Sequence, residues 1–206
     1  MGWSSPQGEA CYNYGVITEN WSDAMLKSKI KFTYKDYKSL PESETKRYEL
    51  VEGELVMVPS PTTHHQSISG NLEHFLRDFV RKHGMGLIYY APLDVVFSQE
   101  DVVQPDIFYI SKGHSEIITN ENIQGAPDLI VEILSPATAE RDRTYKRTLY
   151  ARHGVQEYWI VDPGKGSVEV MRLGEVGFET AGIYRKGESL TSPLLQGLRL
   201  NLGEVF

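Results

Sequence analysis

The chain has 206 residues, 40 % of them apolar and 11 % aromatic, with a formal net charge of −7 at pH 7. That length supports one domain with a substantial core, plus room for an added arm. The acidic balance excludes a body coated with basic surface for nucleic acid, though not a local basic groove, and it suits a divalent cation.

No apolar run reaches the ~18 residues that a membrane span requires. The start, Met1-Gly2-Trp3-Ser4-Ser5-Pro6, lacks the basic-then-apolar order of a secretory signal, so the expected compartment is the cytoplasm. A single cysteine, Cys11, excludes a disulfide framework and a cysteine zinc site.

Residues 1–30 show no clean periodicity and are read as an N-terminal arm or extension, ahead of a single domain over 31–206. Phe32 to Tyr37 resembles a short strand or turn leading into a polar helix near Ser39 to Glu44. Tyr48 to Val58 predicts a hairpin turning at Glu52-Gly53-Glu54. Pro59-Ser60-Pro61 stops it. A helix over His65 to Lys82 follows, with Ile68, Leu72, Phe75, Leu76, Phe79 and Val80 on one stripe. His65 continues that stripe, one turn before Ile68.

Strands are expected at Leu87–Tyr90, Asp94–Phe97 and Val102–Ile110, with 111–126 as loop. Leu129 to Ser135 is apolar, β-favouring and closed by Ser135-Pro136, which reads as a buried strand. Ser135 as N-cap with Pro136 in the first turn predicts a helix from about Thr138 to His153. Strands at Glu157–Val161 and Val168–Leu173 come next, then shorter β structure to Phe206. The order points to an α/β fold: a mixed sheet with helices packed on it and additional N- and C-terminal β structure.

One residue interrupts the apolar strand, the carboxylate of Glu132. Burying it is costly unless a partner or a metal compensates. Asp128 lies four residues away, roughly 13 Å along a strand, too far to share one ion. Asp106, after Pro105, lies on another predicted strand. If the two strands are neighbours, about 4.8 Å apart, Asp106 and Glu132 converge on one cation. Gln104 shares the parity of Asp106. The plainer alternatives are a strand-starting aspartate at 106 and a salt bridge from Glu132 to an arginine of the next helix.

Lys146 borders the apolar face of that helix. It either reaches over the strand toward Glu132 or pairs with Asp142 at i, i+4 on a solvated face. His65 is either a core or capping histidine or a site histidine, and Glu54 is a possible extra metal ligand. Gly-rich phosphate loops, G-x-S-x-G, H-E-x-x-H and calcium-loop spacings are absent from the sequence.

Two acids on adjacent strands, then a helix bearing a lysine, resemble the PD-(D/E)xK nuclease core of helix, three strands, helix, strand. More specifically, the chain resembles the Uma family of restriction-endonuclease-like proteins, formerly a domain of unknown function. The residues that carry this are Tyr48 to Leu55, Pro59-Ser60-Pro61 with His65, Gln104-Pro105-Asp106, and Pro127 to Pro136. Asp142, Lys146, Tyr150, Gly154, Val155, Glu157, Tyr158, Trp159 and Asp162 extend the match.

The resemblance implies a restriction-endonuclease-like mixed sheet and an endonuclease acting on nucleic acid, DNA first, with a homodimer as the superfamily habit. Asp106 and Glu132 would hold Mg²⁺ or Mn²⁺, and Lys146 would orient or deprotonate the attacking water. Gln104 and His65 would support them, with Glu54 as a possible addition. In the superfamily pattern the lysine follows the second acid by two positions. Leu134 stands there, so the role would fall to Lys146. The competing expectation is a non-catalytic nuclease-fold binding or assembly module.

Overall fold

The computed structural model describes residue 1, residues 30–41 and residues 47–206. The chain divides into two compact units, Met1–Ile30 and Lys31–Phe206, and every element named below belongs to the second. The expected N-terminal arm lies almost wholly outside the described residues, as does the end of the polar helix expected near Ser39 to Glu44.

The first described element is a helix, α1 (Tyr34–Lys38), where the sequence reading placed a strand or turn. A capping box explains it. The Thr33 hydroxyl accepts from the Asp36 N–H, and Asp36 accepts from the Thr33 N–H at 2.8 Å.

The hairpin forms as expected, with β1 (Arg47–Val51) paired to β2 (Glu54–Val58). Glu52 and Gly53 both have positive φ, 49° and 79°, the two-residue turn that matches strand twist. A Cβ on Gly53 would come within 2.8 Å of Lys31 Cβ, so glycine is required twice over.

Helix α2 (Thr63–Lys82) begins where the Thr62 side chain accepts the His65 N–H, and it buries Ile68, Leu72, Leu76 and Val80. After it run β3 (Gly86–Tyr90), β4 (Val95–Val96), β5 (Val102–Val103) and β6 (Ile107–Ser111). The single strand expected over Val102 to Ile110 is therefore two. Pro105 can donate no ladder hydrogen bond, and there the chain leaves one sheet for another. The expected loop over 111–126 also holds a 3₁₀ turn (Lys112–Ile117) and β7 (Ile123–Gln124), which pairs parallel to β4.

Strand β8 (Leu129–Ile133) is buried at every position. The following helix starts at Ala139, within a residue of the expected start, but its N-cap is Thr138 and not Ser135. Residues 135–138 form a turn, and α3 (Ala139–Arg141) then runs into a π turn (Asp142–Lys146) and α4 (Arg147–Arg152). Strands β9 (Glu157–Asp162), β10 (Ser167–Leu173), β11 (Phe178–Arg185), β12 (Ser189–Leu190) and β13 (Leu200–Asn201) complete the chain.

The strands of the described residues form a six-stranded mixed sheet, β11-β10-β9-β8-β6-β3, and a five-stranded one, β2-β1-β5-β4-β7. β12 and β13 pair separately. Helix α2, strands β3, β6 and β8, the α3–α4 helix and β9 reproduce the expected core order. The second sheet is the architectural feature the sequence reading did not separate. One face of the large sheet packs Leu129, Val131, Ile133 and Trp159 against α2. The other packs Phe108, Ile130, Tyr158 and Ile160 with Leu149 and Tyr150 of α4, and with Val95, Val103 and Ile123 of the smaller sheet.

A candidate active site between two sheets

Strands β6 and β8 are antiparallel neighbours, with Ile107 opposite Val131. Continuing that register by one step places Asp106 beside Glu132. Asp106 Oδ2 accepts the Ile133 N–H at 2.8 Å, which ties the two strand ends together. Both acids line a cavity of about 870 Å³, together with His65, Gln104, Leu134, Arg141, Asp142 and Lys146.

Glu132 is 4 % exposed. Its Oε1 accepts from Lys146 Nζ at 2.9 Å and from the Tyr150 hydroxyl at 2.5 Å. Burial pushes the Glu132 carboxyl above its ordinary range, and the charges of Asp142, Asp106 and Glu49 push the same way, against the pull of Lys146. Tyr150 is held as a phenol by burial and by Glu132, so it stays a donor.

Lys146 is 3 % exposed, which removes the solvated-face reading. Besides Glu132, its Nζ lies 3.0 Å from Glu49 Oε1 and 3.6 Å from Asp142 Oδ1. The π turn presents Asp142 and Lys146 together on the buried side. Burial opposes the ammonium, but Glu132, Glu49 and Asp142 outweigh it and hold the Lys146 pKa above its ordinary value. One ammonium thus faces three carboxyl groups. It remains able to orient and to neutralise charge.

His65 Nε2 lies 3.3 Å from Asp106 Oδ2, and its Nδ1 is buried without a hydrogen-bond partner. Burial alone would lower the His65 pKa. The hydrogen bond and charge of Asp106 prevail and hold it above its ordinary value. Gln104 donates its backbone N–H to Glu49 Oε1 at 3.1 Å and its Nε2 to Asp94 Oδ1 at 2.9 Å. Glu54 is exposed on β2 and lies outside the cavity lining. Asp128 serves at the other end of β8, accepting the Ser111 N–H and the Gln156 amide, both at 2.7 Å. Leu134 is 8 % exposed among the apolar side chains of the second core.

The sequence reading did not single out Glu49. It sits on β1, is 1 % exposed, and adds an ion pair to Arg141 at 3.0 Å. The signal that would have found it is the one that found Glu132, an acid inside a β-favouring stretch. Five acids, Glu49, Asp106, Glu132, Asp142 and Asp162, share the cavity lining with five permanent cations, Arg47, Arg141, Arg143, Lys146 and Lys165.

Among the described residues, no group of three or more His, Cys, Asp or Glu has metal-site geometry. Mg²⁺, however, is commonly held by one or two carboxylates with water, and by hard oxygen donors throughout. Gln104 Oε1 is a buried acceptor without a hydrogen bond, Glu49 Oε2 and Asp142 Oδ1 are buried in ion pairs with Arg141 and Lys146, and Asp106 and Glu132 supply further carboxylate oxygens. The donor set fits a divalent cation.

The family model Uma2, described as "Putative restriction endonuclease", matches residues 34–203. A solved structure that resembles the chain is that of a "putative nuclease belonging to DUF820" from Anabaena variabilis, with a TM-score of 0.71 and 24 % identity, covering 85 % of this chain and 97 % of that one. That likeness shows the fold. No curated protein matches the chain.

Proposed function

This chain belongs to the Uma2 family, and on that premise we propose that it is a divalent-metal-dependent endonuclease that hydrolyses phosphodiester bonds in nucleic acid, DNA first. The observation that supports this most is the convergence of Asp106 and Glu132 from paired strands onto a cavity beside the buried Lys146 ammonium.

Asp106 and Glu132 would hold Mg²⁺ or Mn²⁺ through carboxylate oxygens not taken by Ile133, His65, Tyr150 or Lys146. Such an ion, when bound, supplies Lewis-acid polarisation of the phosphodiester and a more acidic water. Lys146 keeps its proton and offers positive charge where negative charge builds on the phosphoryl oxygens. Tyr150 holds the Glu132 carboxylate in one rotamer. His65 and the Ile133 N–H do the same for Asp106 Oδ2. Arg47, Arg143 and Lys165 line the same cavity and supply positive charge for the phosphates of a polyanion.

Supercoiled plasmid with Mg²⁺ or Mn²⁺ tests the reading. Wild type should nick or linearise it, and Asp106→Ala and Glu132→Ala should each lose at least 100-fold in rate. Equal conversion by all three proteins removes the assignment.

A second reading has one observation in its favour. Lys146 and Arg141 already sit on Glu49, Glu132 and Asp142, so the acids are neutralised without a metal. A non-catalytic binding or assembly module would be built this way. It would show no Mn²⁺ uptake by calorimetry, whereas a metal-dependent enzyme shows uptake that Glu132→Gln abolishes.

A further inference from the structure

Lysine ends in a point charge on a flexible stem, so an ammonium needs more than one anchor to be fixed at a place. Glu132 supplies one anchor from β8, at 2.9 Å. The second comes from the other sheet, where Glu49 of β1 places Oε1 3.0 Å from the same nitrogen. The same Oε1 accepts the Gln104 N–H, two residues ahead of Asp106. One buried side chain therefore touches both the lysine and the backbone segment that delivers the first acid. A carboxylate 1 % exposed, on a hairpin remote in sequence from both, is costly to bury and is held there by these contacts.

We infer that Glu49 is a positioning residue for the reaction. It fixes the Lys146 ammonium against Glu132, and it sets the segment Gln104-Pro105-Asp106 at the mouth of β6. The inference rests on the nuclease reading for its catalytic consequence but not for its geometry. Glu49 itself acts through Lys146 and touches no reacting atom.

Glu49→Gln keeps the side chain's size and an acceptor for the Gln104 N–H while removing the charge that anchors Lys146. The expected result is a rate of plasmid cleavage at least 10-fold below wild type, with little change in KM, measured below the variant's own Tm. In a double-mutant cycle with Lys146→Met, the double variant should be no slower than Lys146→Met alone. A purely structural ion pair would lower Tm but leave the rate of the folded enzyme unchanged, or the two losses would multiply.

A second measurement is independent of activity. The ¹³Cε methylene signal of Lys146, assigned by its absence in Lys146→Met, should lie away from the exposed lysines in wild type. In Glu49→Gln it should move toward them, with its two protons averaging. Should Glu49→Gln fail to fold, Glu49→Asp, which withdraws the charge by one methylene, should shift the same signal. If wild type cleaves nothing, the nuclease reading fails and the methylene signal alone decides the positioning role. An unchanged signal, wild-type cleavage by Glu49→Gln, or multiplicative losses overturn it.

Discussion

Lys146 decides how the buried acids can coexist. Its one ammonium serves Glu132, Glu49 and Asp142, and all four residues are at most 4 % exposed. Removing one partner from a buried charge network costs about 3–5 kcal/mol, because the remaining charge is left uncompensated. Lys146→Met should therefore lower unfolding stability by about that amount in urea titration at pH 7. A loss below about 1 kcal/mol would mean that the acids are neutralised in some other way. At this scale the sequence was informative where a residue broke a local pattern. Glu132 stood out as an acid in an apolar strand, Asp106 as an acid after proline, and Lys146 as a cation bordering an apolar face. Glu49 did not, because Tyr48-Glu49-Leu50-Val51 also reads as half of a two-faced hairpin, where an acid usually faces water. Its burial is imposed by Lys146 and Arg141, which sequence alone does not bring near it.

The elements that carry the site are held together by Asp101, at the end of the turn between β4 and β5. Its Oδ1 accepts the Glu52 N–H at 3.0 Å and the Tyr145 hydroxyl at 2.5 Å, and its Oδ2 accepts from Ser98 at 2.9 Å and Arg152 at 3.1 Å. The hairpin, the turn and the Lys146-bearing helix thus meet on one carboxylate. Burial alone would raise the Asp101 pKa, but Tyr145, the Glu52 N–H, Ser98 and Arg152 prevail and hold it below its ordinary value. A carboxyl with a depressed folded-state pKa contributes stability that is present above the unfolded pKa, about 3.9, and is lost as pH falls through the folded value. Asp101→Asn should cost about 2 kcal/mol at pH 7. That gap from wild type should narrow below about pH 4, where wild type loses the same contribution. A gap that widens on acidification would contradict this role. Long periodic elements such as α2 and β8 were legible in sequence. The two-residue strands β4, β5 and β7 were not, since their pairing is set by long-range partners and not by local pattern. The π turn was also hidden, because residue spacing alone reads as ordinary helix.

For the described unit, residues 31–206, the arrangement follows from two sheets meeting at one chain crossing. Gln104-Pro105-Asp106 carries the backbone from the five-stranded sheet to the six-stranded one. Glu49 approaches from the first sheet, Glu132 from the second, and Lys146 from the helix between β8 and β9. The core order of helix, three strands, helix, strand followed from the family resemblance, whereas the local pattern alone put four strands between the two helices. The division into two sheets was not readable, because Val102 to Ile110 looks like one strand unless Pro105 is taken as a break. At this junction we propose that Asp106 and Glu132 meet on one divalent cation, a placement with a direct readout. It is tested most directly by anomalous diffraction from crystals soaked in Mn²⁺. One strong peak is expected within about 2.0–2.6 Å of a carboxylate oxygen of each residue, and no peak there in Glu132→Gln. The absence of any peak between Asp106 and Glu132 in the wild-type protein, or a peak whose ligands omit both, would contradict it.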